Sequence, residues 1–351
     1  MSKSTKVNIR QVAAHCGLSP ATVSRVLNRN PSVDPDLAQR VLASAEALGY
    51  HGRNEHTGQR NIVFIAPYLG STYYSDVADG VIDGVWGSEF NIITMVSKFD
   101  EERELECLRR ACNPDTAGVI FTPISDRNPL DAVPELRSIP MVIVGPRHVS
   151  DELTHIHLNN EEAGYVTTRY LLLLGHRNIA FITSFWRKRI SSYQEFMEEY
   201  HSPIRGRFST YDRYDGYCRA LREAGLTPDP KLIAFGEFSY ESGYQCARQL
   251  LAGSRSFDAV IAPNDRSGAG VLKLLVEQGF HVPEQVSIAC LNSSLIAQVV
   301  SPSLTTMSAA NHEMGMAAVE QLLHLIRGEP ARNVEIESKL LIKNSTQVAA
   351  P

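Results

Sequence analysis

The sequence has few of the features that mark secreted, membrane-spanning or metal-binding proteins. Its six cysteines are scattered and form no C-x-x-C pair, which argues against a disulfide framework and a zinc site. No apolar run reaches the ~20 residues that a membrane span needs. The start, MSKSTKVNIR, lacks the apolar core of a signal peptide. We therefore expect a cytoplasmic protein that needs no metal and no other cofactor.

Sequence motifs that carry enzyme chemistry are also missing. No G-x-G-x-x-G follows the first strand-like run, and neither G-x-x-x-x-G-K-[ST] nor G-x-S-x-G occurs. His155, His157 and His176 accompany no recognisable nucleophile motif. Asn264 and Asp265 follow a predicted strand, where polar groups suit hydrogen bonds to a hydroxylated ligand as well as acid–base chemistry. The sequence therefore predicts no catalytic site.

Residues 9–28, IRQVAAHCGLSPATVSRVLN, show the pattern of two short amphipathic helices joined by a tight turn. Apolar residues at helical spacing predict the first helix over 9–15. Gly17 can adopt the positive φ of the turn, and Ser19-Pro20 is a suitable N-cap and first helical residue. Such a helix-turn-helix places the start of its second helix against base edges in the DNA major groove. Two short helices can equally well do no more than pack, so this pattern alone leaves DNA binding open.

A third helix, beginning at Asp34-Pro35, is predicted to complete a small three-helix domain. Residues 1–60 carry a net charge of +4, whereas the rest of the chain carries −9. Positive charge is therefore concentrated where a phosphate backbone would need it. Residues 51–60 are polar and contain glycine, which indicates a linker. The buried side of the third helix is predicted to contain Leu37, Val41, Leu42 and Leu48.

From residue 61 onwards, short apolar runs alternate with amphipathic helical stretches. This alternation predicts βαβ units and parallel sheets. So many strands favour two doubly wound lobes over one sheet, with a ligand cleft beyond the carboxyl ends of the strands. The predicted strands contain residues 62–65, 92–96, 118–121, 141–144, 179–182, 232–235, 259–262 and 286–289.

Several motifs resemble the lactose-repressor/galactose-repressor (LacI/GalR) family of bacterial transcriptional regulators. S-P-A-T-V-S-R-V-L-N at 19–28 and A-E-A-L-G-Y at 45–50 are similar to its DNA-binding head. L-G-H-R-N-I-A-F-I at 174–182, R-Y-D-G-Y at 213–217 and S-P-S-L-T-T at 301–306 are similar to its core. The resemblance implies a three-helix head, a hinge and a two-lobed α/β core of the periplasmic-binding-protein type. It also implies a homodimer that binds near-palindromic operator DNA and associates with the nucleoid when bound.

This resemblance suggests a division of the chain into a head, a linker and an effector-binding and dimerisation core. The three parts are residues 1–50, 51–60 and 61–351. One lobe of the core is predicted from 61–160 plus 293–325, and the other from 161–292 plus 326–351.

The resemblance also implies two sets of binding residues. Arg25 is the best candidate for reading a guanine, because a guanidinium can donate two parallel hydrogen bonds. Pro20 and Ala21 suit contact with a thymine methyl group. DNA contacts are predicted for Asn8, Ser19, Pro20, Ala21, Thr22, Ser24, Arg25 and Asn28. Contacts to a sugar, sugar phosphate or sugar acid are predicted for Ser71, Tyr73, Tyr74, Arg147, Asn160, Arg213, Phe238, Asn264 and Asn292.

Two departures from the family pattern concern the cleft. C-L-N-S at 290–293 stands where the family commonly has G-F-D-D, so the neutral Asn292 replaces an acidic side chain. An amide donates as well as accepts, which makes an anionic ligand easier to hold than with an aspartate. Residues 184–209 exceed the usual connection by about fifteen to twenty residues. We predict a helix over Ser192–Tyr200, while the cationic run 187–189 could face either an anionic ligand or solvent.

The linker is the third departure. Gly58 follows Tyr50 by only eight positions, and the residues between them include no leucine and no alanine. The family commonly has a longer linker whose helix inserts a leucine into the minor groove and unstacks a base step. We therefore predict no hinge helix, no leucine insertion and weaker operator bending.

The leading hypothesis is a ligand-responsive repressor of carbohydrate-related genes. One alternative is a similar regulator whose altered cleft responds to a non-sugar ligand or to none. A sugar-modifying or sugar-transport protein with a dispensable head is disfavoured, because signal-peptide and catalytic motifs are absent.

Overall fold

The chain divides into two units, Met1–Arg60 and Asn61–Pro351. No helix in the part of the chain that the structure describes is long and apolar enough to cross a membrane. The computed structural model describes residues 9–27, 33–48, 60–125, 127–145, 149–185, 190–202, 209–253, 256–308 and 310–349.

The described residues of the first unit form three helices, whose ends are set by local sequence signals. They are α1 (Ile9–Cys16), α2 (Pro20–Leu27) and α3 (Pro35–Ala47). Gly17, with φ of 67°, makes the turn between α1 and α2. The Ser19 hydroxyl accepts a hydrogen bond from the Thr22 amide at 3.1 Å, which is the geometry of an N-cap. These observations confirm the predicted helix-turn-helix.

A small apolar core holds these three helices together. Val12 of α1, Val23 and Val26 of α2, and Val41 of α3 are buried and pack against one another. The prediction for α3 is wrong at Leu42, which is 53% exposed. Helical steps of three and four residues put Ala38, Val41 and Ala45 towards α1 and α2, so their neighbour Leu42 is rotated outward. The predicted hinge, residues 51–59, lies outside the described residues.

The second unit is an α/β core, whose elements follow in chain order. The first stretch comprises β1 (Asn61–Ala66), α4 (Thr72–Val85), β2 (Asn91–Val96), α5 (Glu101–Ala111), β3 (Thr116–Phe121), α6 (Pro129–Ala132), β4 (Met141–Val144) and β5 (Thr154–Leu158). The second comprises α7 (Asn160–Leu173), β6 (Ile179–Ser184), α8 (Tyr193–Tyr200), α9 (Ser209–Glu223), β7 (Ile233–Gly236), α10 (Tyr240–Ala252), β8 (Ala259–Ala262), α11 (Asp265–Glu277), β9 (Ser287–Cys290), α12 (Ile296–Val299) and β10 (Thr305–Met307). The third comprises α13 (Asn311–Ile326), β11 (Val334–Ile336) and β12 (Leu340–Leu341).

The strands form two sheets with the same internal order. The first sheet is β11-β5-β4-β3-β1-β2, and its strand pairs are all parallel. The second is β12-β10-β9-β8-β6-β7, in which only β12 runs antiparallel to its neighbour. In each sheet the strand order reverses beside the first strand, between β1 and β3 and between β6 and β8. These reversals are the switch points at which open α/β sheets bind ligands. The predicted two-lobed α/β core is confirmed.

Sheet membership shows how the chain passes between the two lobes. It leaves the first lobe after β5, returns through α13 and β11, and crosses again to β12. The predicted lobe boundaries at 293 and 326 differ from this, because β10 belongs to the second sheet and β11 to the first. Both are three-residue strands whose sequences do not indicate which sheet they join.

The long connection after β6 contributes to the core of the second lobe. The helix predicted over Ser192–Tyr200 is confirmed as α8, with Ser192 as its N-cap. Phe196 of α8 has no exposed surface, and its ring lies 5.3 Å from Tyr211 and 5.0 Å from Tyr214. The added segment therefore extends an aromatic cluster between α8 and α9. The cationic run 187–189 lies outside the described residues.

In both lobes, helix backbones touch at crossings with paired glycines. Among the described residues these crossings are α4 with α13 in the first lobe, and α7 with α9 and α10 with α11 in the second. A Cβ atom on Gly80 of α4 would lie 2.0 Å from the His312 carbonyl oxygen of α13, beside Gly315. In the second lobe, a Cβ on Gly164 of α7 would lie 2.1 Å from the Arg213 carbonyl oxygen of α9. Only glycine permits so close an approach.

Candidate functional site

The second helix of the head presents its first turns to solvent. Ser19, Pro20, Ala21 and Arg25 are exposed. Ala21 and Arg25 lie one turn apart on the same face, and α2 has no acidic residue in its first turn. An apolar contact and a cationic fork are thus presented together, as reading a major groove requires. Thr22 and Ser24 are half-buried, whereas Asn8 and Asn28 lie outside the described residues.

A cavity of about 530 Å³ lies between the two lobes of the core. It opens at the carboxyl ends of the strands in both sheets, because its lining residues follow those strands directly. Arg147 lies outside the described residues. The other predicted effector contacts all line the cavity, namely Ser71, Tyr73, Tyr74, Asn160, Arg213, Phe238, Asn264 and Asn292.

Aromatic rings dominate the wall that the first lobe contributes. The ring centroids of Tyr73 and Tyr74 lie 4.9 Å apart, and those of Tyr74 and Phe99 lie 6.0 Å apart. Tyr68 lies 6.3 Å from Phe99. Burial raises the pKa of Tyr73 well above its usual value, so its phenol stays protonated and can donate a hydrogen bond. We name Tyr68, Tyr73, Tyr74 and Phe99 the aromatic wall; such faces suit a sugar ring or another flat ligand.

The sequence reasoning did not identify two members of the aromatic wall, Tyr68 and Phe99. Phe99 follows β2 by three residues, and Tyr68 follows β1 by two. Their position after strand ends was the available signal. Lys98 and Phe99 both have positive φ, 57° and 58°, a conformation that non-glycine residues rarely adopt. The loop thereby turns the Phe99 ring into the cleft.

Arg213 is the principal cation on the second-lobe wall. Only 9% of its surface is exposed. Its Nε donates to Asn160 Oδ1 at 2.9 Å and its Nη1 to the Pro263 carbonyl at 3.1 Å. Burial lowers the pKa of Arg213 to about 10, while Tyr73 and Asp212 oppose that shift, so the guanidinium is charged at neutral pH.

The amide side chains that line the cavity are held by hydrogen bonds within the fold. Asn160 holds Arg213 and donates to the Leu158 carbonyl at 3.2 Å. Asn264 caps α11 through Oδ1 and donates to the Phe238 carbonyl at 3.1 Å. Asn292 accepts from the Ser293 amide at 2.8 Å through Oδ1 and keeps its NH₂ group for the cavity. These residues therefore position one another and leave N–H donors for a ligand.

Asp265 lines the same wall but is occupied by the fold. Its Oδ2 accepts from the Ser294 amide and hydroxyl, both at 2.6 Å, and from the Ala297 amide at 3.1 Å. The described residues contain no group of three or more His, Cys, Asp or Glu side chains that could hold a metal ion. What the cavity offers is aromatic surface and hydrogen-bond donors, which suit reversible binding of a small polar molecule.

A helix-turn-helix head joined to a two-lobed core with a ligand-sized cleft defines a ligand-regulated DNA-binding protein. Comparison with known proteins agrees. The model of bacterial regulatory proteins of the lacI family matches residues 8–52, and that of the periplasmic binding protein-like domain matches residues 168–346. The chain belongs to the LacI family of transcriptional regulators.

Relatives of known identity match nearly the whole chain. The HTH-type transcriptional regulator RegA of Clostridium saccharobutylicum is 29% identical, covering 97% of this chain and 99% of its own. Catabolite control protein A of Priestia megaterium is 26% identical, over 97% and 99%. A solved transcriptional regulator CelR–cellobiose complex has a TM-score of 0.66 at 26% identity, over 97% and 99%. These relatives are regulators, which confirms the expectation that this protein is not an enzyme.

Proposed function

We propose that this protein represses carbohydrate-related genes and that a carbohydrate-derived effector controls its affinity for operator DNA. The observation that carries this proposal is that all the described residues predicted to contact an effector line one cavity between two lobes. A ligand that contacts both lobes favours one relative arrangement of them over another. Cellobiose is the ligand named with the CelR structure. It supports a sugar-like ligand for this protein by similarity alone.

The proposal includes a homodimer on a near-palindromic operator, acting in the cytoplasm on the nucleoid. A single head reads a short half-site, and two-fold symmetry doubles the sequence that is read. Two apolar side chains one helical turn apart, Leu295 at the N-cap of α12 and Val299 at its last position, are each 69% exposed. An exposed apolar pair of this kind suits burial against a second copy of the chain.

Genomic footprinting at the protein's own promoter tests this function directly. We expect protection of two half-sites related by two-fold symmetry, near genes of carbohydrate metabolism. Adding the effector to the purified protein on that operator should change its affinity for the DNA. No footprint in cells, together with no sequence preference in vitro, would contradict the proposal.

Arg25→Ala tests the reading helix. We expect a loss of about 1–3 kcal/mol of binding free energy that is confined to one base pair of each half-site. Fluorescence anisotropy with a set of single-base operator variants measures this loss. The control is Arg222→Gln, at an exposed position of the α/β unit. Equal weakening on every sequence would instead identify Arg25 as a phosphate contact.

Operator bending tests the prediction from the linker sequence. Since the linker between Tyr50 and Gly58 contains no leucine, we expect no sharp central kink in the bound operator. Circular-permutation gel shifts measure the bend angle. A sharp kink at the operator centre would show that the prediction is wrong.

The alternative, a regulator with an altered cleft, keeps a specific observation in its favour. Asn292 stands where the family commonly has an aspartate, which removes one acceptor for sugar hydroxyls. Calorimetric titration with carbohydrates separates the two readings, because the alternative predicts no heat from any sugar or sugar derivative.

A further inference from the structure

The charged groups that line the cavity are unequally paired. Two guanidiniums, Arg213 and Arg266, face two carboxylates, Glu101 and Asp265. Within the described part of the chain, no carboxylate forms an ion pair with either guanidinium. The cleft therefore holds positive charge that the protein does not itself neutralise.

Of the two guanidiniums, Arg213 has the greater need of a counter-ion, because it is buried. Its two protein acceptors, the Asn160 amide oxygen and the Pro263 carbonyl, are neutral. Three of its five N–H donors have no described protein acceptor, and they belong to Nη1 and Nη2, the end of the side chain. A buried cation without a counter-ion is costly, and an anion placed beside it recovers part of that cost.

Arg266 adds a second cation to the same wall. It is the second residue of α11, directly after Asp265, and it is half-buried. Its side chain forms no hydrogen bond or ion pair with any described residue. A guanidinium held at a helix start and left unpaired is well suited to a carboxylate or phosphate.

The two carboxylates are engaged elsewhere. Asp265 accepts three hydrogen bonds from Ser294 and Ala297, which stabilise its negative charge within the fold. Glu101 is exposed and lies 3.8 Å from Arg127, so solvent and a second cation screen it.

Backbone dipoles add to the positive potential. The helices α4, α7, α9 and α11 begin at the cavity, since Thr72, Asn160, Ser209 and Asp265 all line it. Helix N-termini carry partial positive charge and unpaired N–H groups. This is a shared property of such clefts, and the unpaired Arg213 and Arg266 make it specific here.

We propose that the effector is an anionic sugar derivative whose carboxylate or phosphate is held by Arg213 and Arg266. Its ring lies against the aromatic wall of the first lobe. This inference rests on the proposed function, because it takes the cavity to be the effector site. A sugar acid and a sugar phosphate share the required chemistry, a negative group on a hydroxylated ring.

Calorimetric titration of the full-length protein with matched sets of ligands tests the proposal. Each set contains a neutral hexose, its uronic acid and its 6-phosphate, in the gluco and galacto series, with inorganic phosphate as the minimal anionic probe. We expect an anionic member to bind at least about tenfold more tightly than its neutral counterpart. Preference for the uronate or for the phosphate member identifies the anionic group.

The variant Arg266→Gln makes the test specific to the second-lobe cations. We expect it to weaken the anionic ligand about 10- to 100-fold, and the neutral counterpart by a much smaller factor, since only the anion loses a charge-assisted contact. Lys273→Gln, an exposed change on the same helix, is the matched control. Arg213→Gln should abolish anion binding, and a thermal melt of each variant shows whether it folds.

Three results would overturn the proposal: a neutral hexose that binds as tightly as its acid and phosphate, unchanged anion affinity in Arg266→Gln, or no binding of any anionic probe. Operator binding of the same samples is measured by gel shift. If a neutral sugar alone releases the operator, the proposed function stands and this inference falls. If the native protein fails to select an operator, the proposed function falls instead.

Discussion

The two lobes of the core share one topology but present different chemistry to the cleft. Both sheets place the first strand of the lobe between the second and the third, and in both the residues that line the cavity lie at the carboxyl ends of the strands. The first lobe contributes the aromatic wall, whereas the second contributes Arg213, Arg266 and most of the amides. The same topology thus presents two different surfaces to the cleft.

The two lobes are also alike in their helix packing. In the first lobe, α4 follows the first strand and packs against α13, the helix through which the chain returns. In the second lobe, α9 follows the first strand and packs against α7, the helix through which the chain enters. The paired glycines Gly80 and Gly315 have their counterparts in Gly164 and Gly216.

The comparison of the two lobes shows which features set the ligand specificity of the cleft. Strand order and helix crossings set the position of the cleft, and they are alike on both sides. The side chains that follow each strand set what the cleft can bind, and they are not alike. The added helix α8 increases the asymmetry, because it enlarges the aromatic core of the second lobe only.

Removing the centre of that aromatic cluster should have the largest effect. Phe196→Ala deletes a fully buried ring that packs against Tyr211, Tyr214 and Phe235. We expect unfolding to become easier by about 3–5 kcal/mol. Chemical denaturation measures this, with Leu173→Ala, 77% exposed in the same lobe, as the control. A loss below about 1 kcal/mol would mean that α8 is dispensable to the second lobe.

Gly80→Ala and Gly164→Ala test whether the α4–α13 and α7–α9 crossings are equivalent. Each new methyl group would press on a backbone carbonyl, at 2.0 Å and 2.1 Å respectively. We expect each to cost about 1–3 kcal/mol of stability, and only Gly164→Ala to weaken effector binding, because it displaces the backbone of Arg213. Thermal melts and calorimetry measure the two effects.

The control for the glycine pair is Gly253→Ala, an exposed position with an ordinary φ of −69°. A Cβ there would lie 3.1 Å from the Leu250 carbonyl oxygen, about 1 Å farther than in the two crossings, so the variant should lose less stability than either, by no more than about 1 kcal/mol. If Gly80→Ala weakened effector binding as much as Gly164→Ala, the two crossings would be functionally alike. That result would contradict the claim that only the second-lobe crossing positions Arg213.

A smaller effect is expected from Asn292→Asp, which gives the second-lobe wall an added carboxylate. We expect an anionic effector to bind about tenfold more weakly, near 1.4 kcal/mol, since the new charge opposes it. Asn178→Asp, outside the cavity in the same lobe, is the matched change. Tighter binding of the anion to Asn292→Asp would contradict the assignment of charge to this wall.

Much of this molecule follows from local sequence. The helix-turn-helix depends on Gly17, Ser19 and Pro20, which act on neighbours within one turn. The eight predicted strand runs became strands because each is a dense apolar segment. The strands that the sequence did not indicate, β5, β10, β11 and β12, are short or carry polar residues, such as His155 and His157 in β5.

The predicted effector residues illustrate the limit of that reasoning. Their positions after strand ends predicted that they lie close together, but did not predict the role of each residue. Asn264 and Asp265 look alike in the sequence, yet one links Phe238 to α11 and the other holds Ser294 and Ala297. Leu42 fits an apolar pattern and is nevertheless exposed, because neighbouring helices cover only part of α3.

Local sequence was enough for the helix-turn-helix head, for eight of the twelve described strands and for the family, since those signals act between residues a few positions apart or recur as whole motifs. The tertiary structure decided the sheet to which each short strand belongs, the presence of Phe99 in the cleft and the commitment of each amide and carboxylate. It also left Arg213 and Arg266 without a described counter-charge. These outcomes depend on contacts between residues far apart in the chain, which no local pattern encodes.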